Sequence, residues 1–321
     1  MLIAEVDGEN GVFPIRVERR ITRLAEDFQD GETLKEAGIR KSIGVMGEYA
    51  RLLEEYGVTA AACGATGVVR RARNGGVFLD AVADATGVQG RIVSESSEAF
   101  LSAKGVLSVL PSVEGTVLTF DLGGSSTEFL LMDTGRTEPI WSASVFVGAA
   151  TVTERHLRDD PVEASSLLRA SGDVRQALSP TLSKLNSLLG AGEGSGLPFQ
   201  LVGTAGTVTT LAAMFLVMSE YDPFKVNGAS LTQDWLATTI DTLARLPVAS
   251  RRGIPGLEPG REDIILGGAL IVREVLAGLG VGRLTVADGG FLEGLLLDLL
   301  EKENGWPQIL KTRLTWRVTA G

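Results

Sequence analysis

Asp121-Leu122-Gly123-Gly124-Ser125-Ser126-Thr127-Glu128 stands between two apolar runs, Val117-Leu118-Thr119-Phe120 and Phe129-Leu130-Leu131-Met132. The runs read as two strands and the glycine pair as the turn between them. Glycine lets the backbone approach an anion closely. The hydroxyls of Ser125, Ser126 and Thr127 add donors. Asp121 at the strand end, with Glu128 opening the return strand, offers hard oxygen ligands to a cation. The competing reading is a glycine-rich hairpin turn flanked by solvated acids.

A second loop of this kind is Gly203-Thr204-Ala205-Gly206-Thr207, at the end of a predicted strand over Phe199–Gly203 and before a predicted helix over Val208–Met218. A strand, a glycine loop and a helix start in that order offer free N–H groups to an anion, or form a plain tight turn. Two such loops in one chain strengthen each other. Thr66, in the loop Gly64–Gly67, is followed by Arg70, Arg71 and Arg73. Arginine grips phosphate through two parallel hydrogen bonds. The three side chains point different ways around a helix, and Arg70 is the preferred clamp. Ser94 caps a helix whose first turn holds Glu98. There a carboxylate either activates water or offsets the helix dipole, and the residues alone favour the dipole role. Asp288-Gly289-Gly290 ends another strand and reads equally as a site loop or a turn.

Outward from these loops, periodicity predicts a hairpin over residues 1–24, a helix over 34–56 and a strand over Val58–Cys63. A helix over Val68–Asp84, interrupted at Asn74-Gly75-Gly76, follows, then a strand over Gly90–Ser94 and a helix over Ser94–Leu107. Beyond the hairpin at 117–132 come helices within 151–190 and a glycine loop over Gly190–Gly196. Next are a helix over Asp263–Leu279, a strand over Arg283–Asp288 and a helix over Leu292–Glu303. Alternating strands and helices predict an α/β architecture. A length of 321 residues suits two such units.

The net charge of −10 argues against nucleic acid, which wants a basic face. One cysteine and one histidine exclude an internal disulfide, a thiol zinc site and histidine-rich metal chemistry. Cys63 and His156 are therefore assigned to structure. The uncharged stretch Leu197–Ser219 is broken by its glycine loop and reads as strand, turn and helix rather than a membrane span. The early charges at Glu5 and Asp7 leave no secretory signal, and the expected compartment is the cytoplasm.

Taken in order, these residues resemble the exopolyphosphatase and guanosine pentaphosphate phosphohydrolase (Ppx/GppA) family, of the actin-like, sugar-kinase-like superfamily. Ala65-Thr66 with Arg70, Ala72 and Asn74 is similar to its A-T-S-A-x-R-x-A-x-N. Ser94 with Glu98-Ala99 resembles S-G-x-x-E-A, and Asp121–Glu128 resembles D-I-G-G-G-S-T-E. Ser144, Gly148 and Thr153-Glu154 follow the next segment, Gly203–Thr207 matches G-T-x-G-T, and Arg261, Asp263, Gly267-Gly268-Ala269, Asp288 and Glu293-Gly294 complete the series. The resemblance implies two ribonuclease H-like lobes with a cleft between them. The N-terminal lobe would span residues 1–114 and the C-terminal lobe 115–321, with the last helix packing back on the first lobe. It implies release of terminal phosphate from polyphosphate or guanosine pentaphosphate with Mg²⁺, or Mn²⁺ in its place. Glu98 then becomes the catalytic base and Glu128 its partner at the metal or water, with Asp121 a metal ligand. Gly123, Gly124, Ser125, Ser126, Thr66, Arg70, Gly203, Thr204, Gly206 and Thr207 would bind phosphate. The expected partners are the substrate and, in a homodimer, a second copy, with no nucleic acid and no membrane.

The chain departs from the pattern in five places. The family's opening strand and loop, D-x-G-S-N-S, would precede Met1-Leu2-Ile3-Ala4-Glu5-Val6, and a start upstream of Met1 is expected. Ser125 replaces the third glycine, Thr151 and Leu292 stand where arginine is frequent, and Gly260 precedes Arg261. With the first loop missing, a non-catalytic binder of polyphosphate or nucleotide is the alternative reading. A small-molecule kinase is a third, disfavoured by Glu98.

Overall fold

The computed structural model describes residues 1–7, 11–20, 22, 24, 28, 32–110, 113–136, 138–190, 198–304 and 314. The expected glycine loop beyond Gly190 and the tail after Trp306 therefore lie outside the described residues, save Leu314. In chain order the elements are β1 (Leu2–Val6), β2 (Val12–Val17), α1 (Glu36–Glu55), β3 (Cys63–Ala65), α2 (Gly67–Arg71), α3 (Gly75–Thr86), β4 (Gly90–Ile92) and α4 (Glu95–Ser108). Next come β5 (Thr116–Leu122), β6 (Thr127–Asp133), β7 (Trp141–Val145), α5 (Ala149–His156), α6 (Ala164–Leu188), β8 (Phe199–Thr204) and α7 (Ala205–Phe215). The rest are α8 (Pro223–Val226), β9 (Ser230–Thr232), α9 (Gln233–Arg245), α10 (Val248–Arg251), α11 (Ile265–Leu279), β10 (Arg283–Val286) and α12 (Phe291–Asn304). They form two compact units, residues 1–108 with 290–321, and residues 109–289.

The second unit is built on a sheet of six strands in the order β7-β6-β5-β8-β10-β9. Strands β5, β8 and β10 are parallel neighbours, while β6, β7 and β9 run antiparallel to their partners. Strands β5 and β8 are largely buried on both faces, as expected for a sheet covered on both sides. Helix α11 is buried almost all round its circumference, and α5, α6, α7 and α9 pack against it. Phe120 and Phe129 stack across the β5–β6 pair with centroids 6.1 Å apart.

The first unit carries two separate two-stranded ribbons, antiparallel β1–β2 and parallel β3–β4. Its cores lie around Phe78, Leu79 and Val82 of α3, and around Val93, Leu101 and Leu295. Helices α4 and α12 pack closely because small residues stand at the crossing. A Cβ at Gly105 would strike the Gly290 carbonyl, and one at Gly294 would strike the Leu101 carbonyl. Lys104 of α4 and Glu301 of α12 form an ion pair with both side chains buried.

Three predicted elements differ. Only Cys63–Ala65 pairs as a strand, and Thr59–Ala62 is exposed and without secondary structure. The helix expected over Val68–Asp84 is two, α2 and α3. The amide of Asn74 turns the chain between them by accepting from Leu34 N–H at 2.8 Å and donating to the Leu34 carbonyl at 3.1 Å. The helix predicted over Val208–Met218 runs over Ala205–Phe215, three residues earlier at each end. Among the described residues no helix is long and apolar enough to cross a membrane.

Candidate functional site

In the second unit the sheet register brings the two glycine loops together. Asp121 of β5 is in parallel register with Thr204 of β8, and Val286 of β10 is in register with Gly203. The loops therefore leave adjacent carboxyl ends of parallel strands, the edge at which α/β sheets bind ligands. Asp121 also lies directly across the hairpin from Glu128. Opposed residues of an antiparallel pair share a face, so the two carboxylates project to the same side. Glu128 is exposed, and its Oε1 accepts a 3.0 Å bond from the Ser144 hydroxyl on β7.

The Asp121–Glu128 turn is tight and anchored. Gly123 N–H donates to the Ser126 carbonyl at 3.0 Å. The carbonyls of Gly123 and Gly124 accept from Ala149 and Ala150 N–H at 3.0 and 2.9 Å, so the first turn of α5 is capped by the loop itself. Gly148 makes this possible, because a Cβ there would strike the backbone of Gly124 and Ser125. Thr151, standing where the family often has arginine, accepts from Gly148 N–H at 2.9 Å, a half capping box. Gly124 and Ser125 are exposed and Ser126 half-buried. Thr127 departs from the sequence reading. Its hydroxyl is buried and donates to the Val147 carbonyl at 2.6 Å, so it anchors the hairpin instead of facing a ligand.

The Gly203–Thr207 residues divide in the same way. Gly203 is packed among Phe120, Val208 and Leu284, and its carbonyl accepts from Ala287 N–H at 3.0 Å. Thr204 donates its hydroxyl to the Gly289 carbonyl at 2.8 Å, and Thr207 is buried. Ala205 and Gly206 remain half-buried at the start of α7, with Ala205 in the left-handed region at φ 73°. The Arg261 guanidinium lies against Gly206, where a Cβ would have to displace it. Arg261 is ion-paired with Glu258, whose Oε2 also accepts from Thr210 of α7 at 3.3 Å. A cation thus sits beside the N-terminal turn of α7, a position that local sequence alone does not reveal. The chain turns into it at Gly260, φ 88°, where a side chain would be strained. Asp288, beyond β10, accepts from the Tyr221 hydroxyl at 2.9 Å.

In the first unit, Arg70 and Glu98 are bonded to each other. Arg70 Nη1 donates to Glu98 Oε2 at 2.7 Å and to the Val93 carbonyl at 2.8 Å, while Nη2 lies 3.4 Å from Glu95 Oε1. The clamp expected for phosphate therefore also orients the carboxylate expected for water. Ser94 accepts from Ser97 N–H at 3.2 Å and caps α4. Thr66 precedes α2 and holds its first turn through its carbonyl, without a side-chain cap. His156 pairs with Asp173 at 3.1 Å, and burial pushes the Cys63 thiol up, as suits structural roles.

Residues 2–303 match the Ppx/GppA phosphatase family. The chain belongs to that family. It is 29% identical over 315 residues to exopolyphosphatase 2 of Mycobacterium tuberculosis, covering 93% of this chain and 94% of that protein. It is 28% identical to the bifunctional 3-dehydroquinate synthase/phosphatase of Fusobacterium nucleatum, across 94% of this chain but only 45% of that longer protein. The crystal structure of the Aquifex aeolicus Ppx/GppA family member superposes with a TM-score of 0.79 at 30% identity, covering 94% of each chain. The α/β fold is that of the Ppx/GppA structures, and membership carries the coarse activity with it, a phosphoanhydride hydrolase.

Proposed function

We propose that this Ppx/GppA phosphatase releases terminal orthophosphate from inorganic polyphosphate or guanosine pentaphosphate by water attack with a divalent cation. The observation that carries the reading is the register of Asp121 with both Thr204 and Glu128. It sets two carboxylates and two glycine loops at one edge of one sheet. Among the described residues there is no group of three or more histidine, cysteine or acidic side chains suited to a metal. Two carboxylates fit Mg²⁺ well, since that ion keeps waters and takes its other ligands from substrate phosphates. Asp121 and Glu128 would hold it, or Mn²⁺ in its place, and the ion would neutralise phosphate charge.

The protein's own groups divide the remaining work. The exposed backbone of Gly124 and Ser125, the Ser126 hydroxyl and the N-terminal turn of α7 with Arg261 offer donors to phosphate oxygens. Within the first unit Arg70 fixes the Glu98 carboxylate. The role that the family resemblance implies for Glu98 is to take a proton from the attacking water as its oxygen bonds to the terminal phosphorus. The bond from that phosphorus to the bridging oxygen breaks, and the chain leaves one phosphate shorter.

The decisive measurement is orthophosphate release from long-chain polyphosphate and from guanosine pentaphosphate, with Mg²⁺ and with EDTA. Release from at least one substrate, lost with EDTA, is expected. Calorimetric binding of polyphosphate without release from either substrate would sink the hydrolytic reading and leave a binding protein.

A further inference from the structure

Strand β7 has two different faces. Trp141 and Val145 pack against the core of the second unit. Ser142, Ser144 and Phe146 alternate with them and are exposed. Phe146 is 73% exposed, more than any other aromatic side chain among the described residues. Its neighbours are the groups of the phosphate site. Ser144, two positions before it on the same face, donates to Glu128 Oε1 at 3.0 Å. Gly148, two positions after it, lies against the backbone of Gly124 and Ser125. Two residues of strand span about 7 Å, so the Phe146 Cα stands about that far beyond the Cα of Ser144.

The ring is presented on fixed backbone. Val145 is in register with Thr127 of β6. Val147 N–H donates to the Val145 carbonyl at 2.7 Å, a three-residue turn with Phe146 at its apex. The Val147 side chain is buried, and its carbonyl accepts from the Thr127 hydroxyl at 2.6 Å. Both neighbours of Phe146 are therefore tied to the hairpin that carries Asp121 and Glu128. Inorganic polyphosphate gains nothing from such a ring. The face of a benzene ring carries partial negative charge, which attracts cations and disfavours phosphate oxygens. A nucleobase is the opposite case, since every base has a face that stacks on an aromatic side chain.

We propose that Phe146 is a platform for the base of a nucleoside polyphosphate, and that it turns the preference of the site from inorganic polyphosphate toward the guanosine compound. The proposal rests on the hydrolytic reading above for the place of the terminal phosphate. With that phosphate at Asp121 and Glu128, the nucleoside end of the substrate extends past Ser144 to the ring. Phe146 acts on specificity and touches none of the reacting atoms.

The test compares Phe146→Ala and Phe146→Trp with the unaltered chain. Substitutions at so exposed a position change stability little. The ratio of KM for guanosine pentaphosphate to KM for polyphosphate is expected to rise about tenfold in Phe146→Ala, the scale of one lost stacking contact. Phe146→Trp, whose ring also stacks, should keep the original ratio. An unchanged ratio in Phe146→Ala overturns the proposal, and a smaller mass of that variant in light scattering would then assign the ring to a contact between copies. If either substrate is not hydrolysed, calorimetry replaces the ratio; if neither is, the activity proposed above has failed while the platform is still decided. The probes are GTP and inorganic tripolyphosphate, which carry the same three phosphates. About tenfold tighter binding of GTP, lost in Phe146→Ala and kept in Phe146→Trp, is expected. GTP binding no tighter than tripolyphosphate overturns the proposal.

Discussion

The two units order their strands and site residues by different means. In the second, six strands fix one another's register, and three parallel strand ends hold the glycine loops side by side. In the first, two short ribbons stand apart, and order comes from helix packing: α1 on α3, α4 on α12 and the Lys104–Glu301 pair. The chemistry follows that contrast. The loop at Asp121–Glu128 is positioned by backbone, through the Gly123 and Gly124 carbonyls and α5. The first unit positions Glu98 by side chain, through Arg70. A backbone-held group survives most substitutions around it, whereas a side-chain-held group depends on one partner.

The largest test of the contrast is kinetic. Glu128→Gln and Glu98→Gln should each slow orthophosphate release about 10²- to 10⁴-fold, the range for losing a positioned acid–base group. Arg70→Ala should approach the Glu98 effect, while Ser144→Ala should leave most activity. Equal, small losses at Arg70 and Ser144 would break the distinction between the units. Next in size, Lys104→Met should destabilise the protein by about 3–5 kcal/mol in chemical denaturation, because Glu301 is left buried and unpaired. The double variant Lys104→Met/Glu301→Leu should recover most of that loss, and failure to recover would show that packing, not charge, is at stake. Thr127→Val removes the donor to a buried carbonyl and should cost about 1–3 kcal/mol, read the same way. An unchanged stability would mean that the hairpin is not anchored there.

The smallest effect is a pH trend. In a chain that begins at Met1, burial holds the folded Met1 amine below its ordinary value, with Glu18 and Glu293 opposing and Arg19 and Arg20 assisting. Its charged form disfavours folding. The contribution to stability is therefore full above the ordinary amine value and is lost as pH falls through the lowered one. Acetylating Met1 should abolish that part of the trend between pH 7 and 9, and an identical profile would remove the amine from the account.

Much of this was legible because it is local. The glycine turns and apolar runs locate β5, β6, β8 and β10, and the serine cap locates α4. Misreadings arose where partners are distant. Val58–Cys63 has strand composition, but strand structure needs a neighbour, and only Cys63–Ala65 has one. Thr127 reads as a donor within its motif. Strict alternation would have turned it inward, since it opposes buried Leu122 while Asp121 opposes Glu128. Arg261 beside Gly206, and Lys104 with Glu301, are pairings across 55 and 197 residues that no local pattern carries.

The second unit is inserted between residues 108 and 290 of the first. On the ribosome this sets a timetable. Residues 109–289 are complete, and free to fold, before α12 has been made. Helix α4 must wait through that interval with Lys104 unmatched and its packing face uncovered. A chain halted at Gly289 should therefore show a protease-resistant second unit joined to a digestible first one, and resistance of both would mean that α4 finds its fold without α12. Helix α12 is synthesised after the second unit, and its arrival completes the packing face of α4.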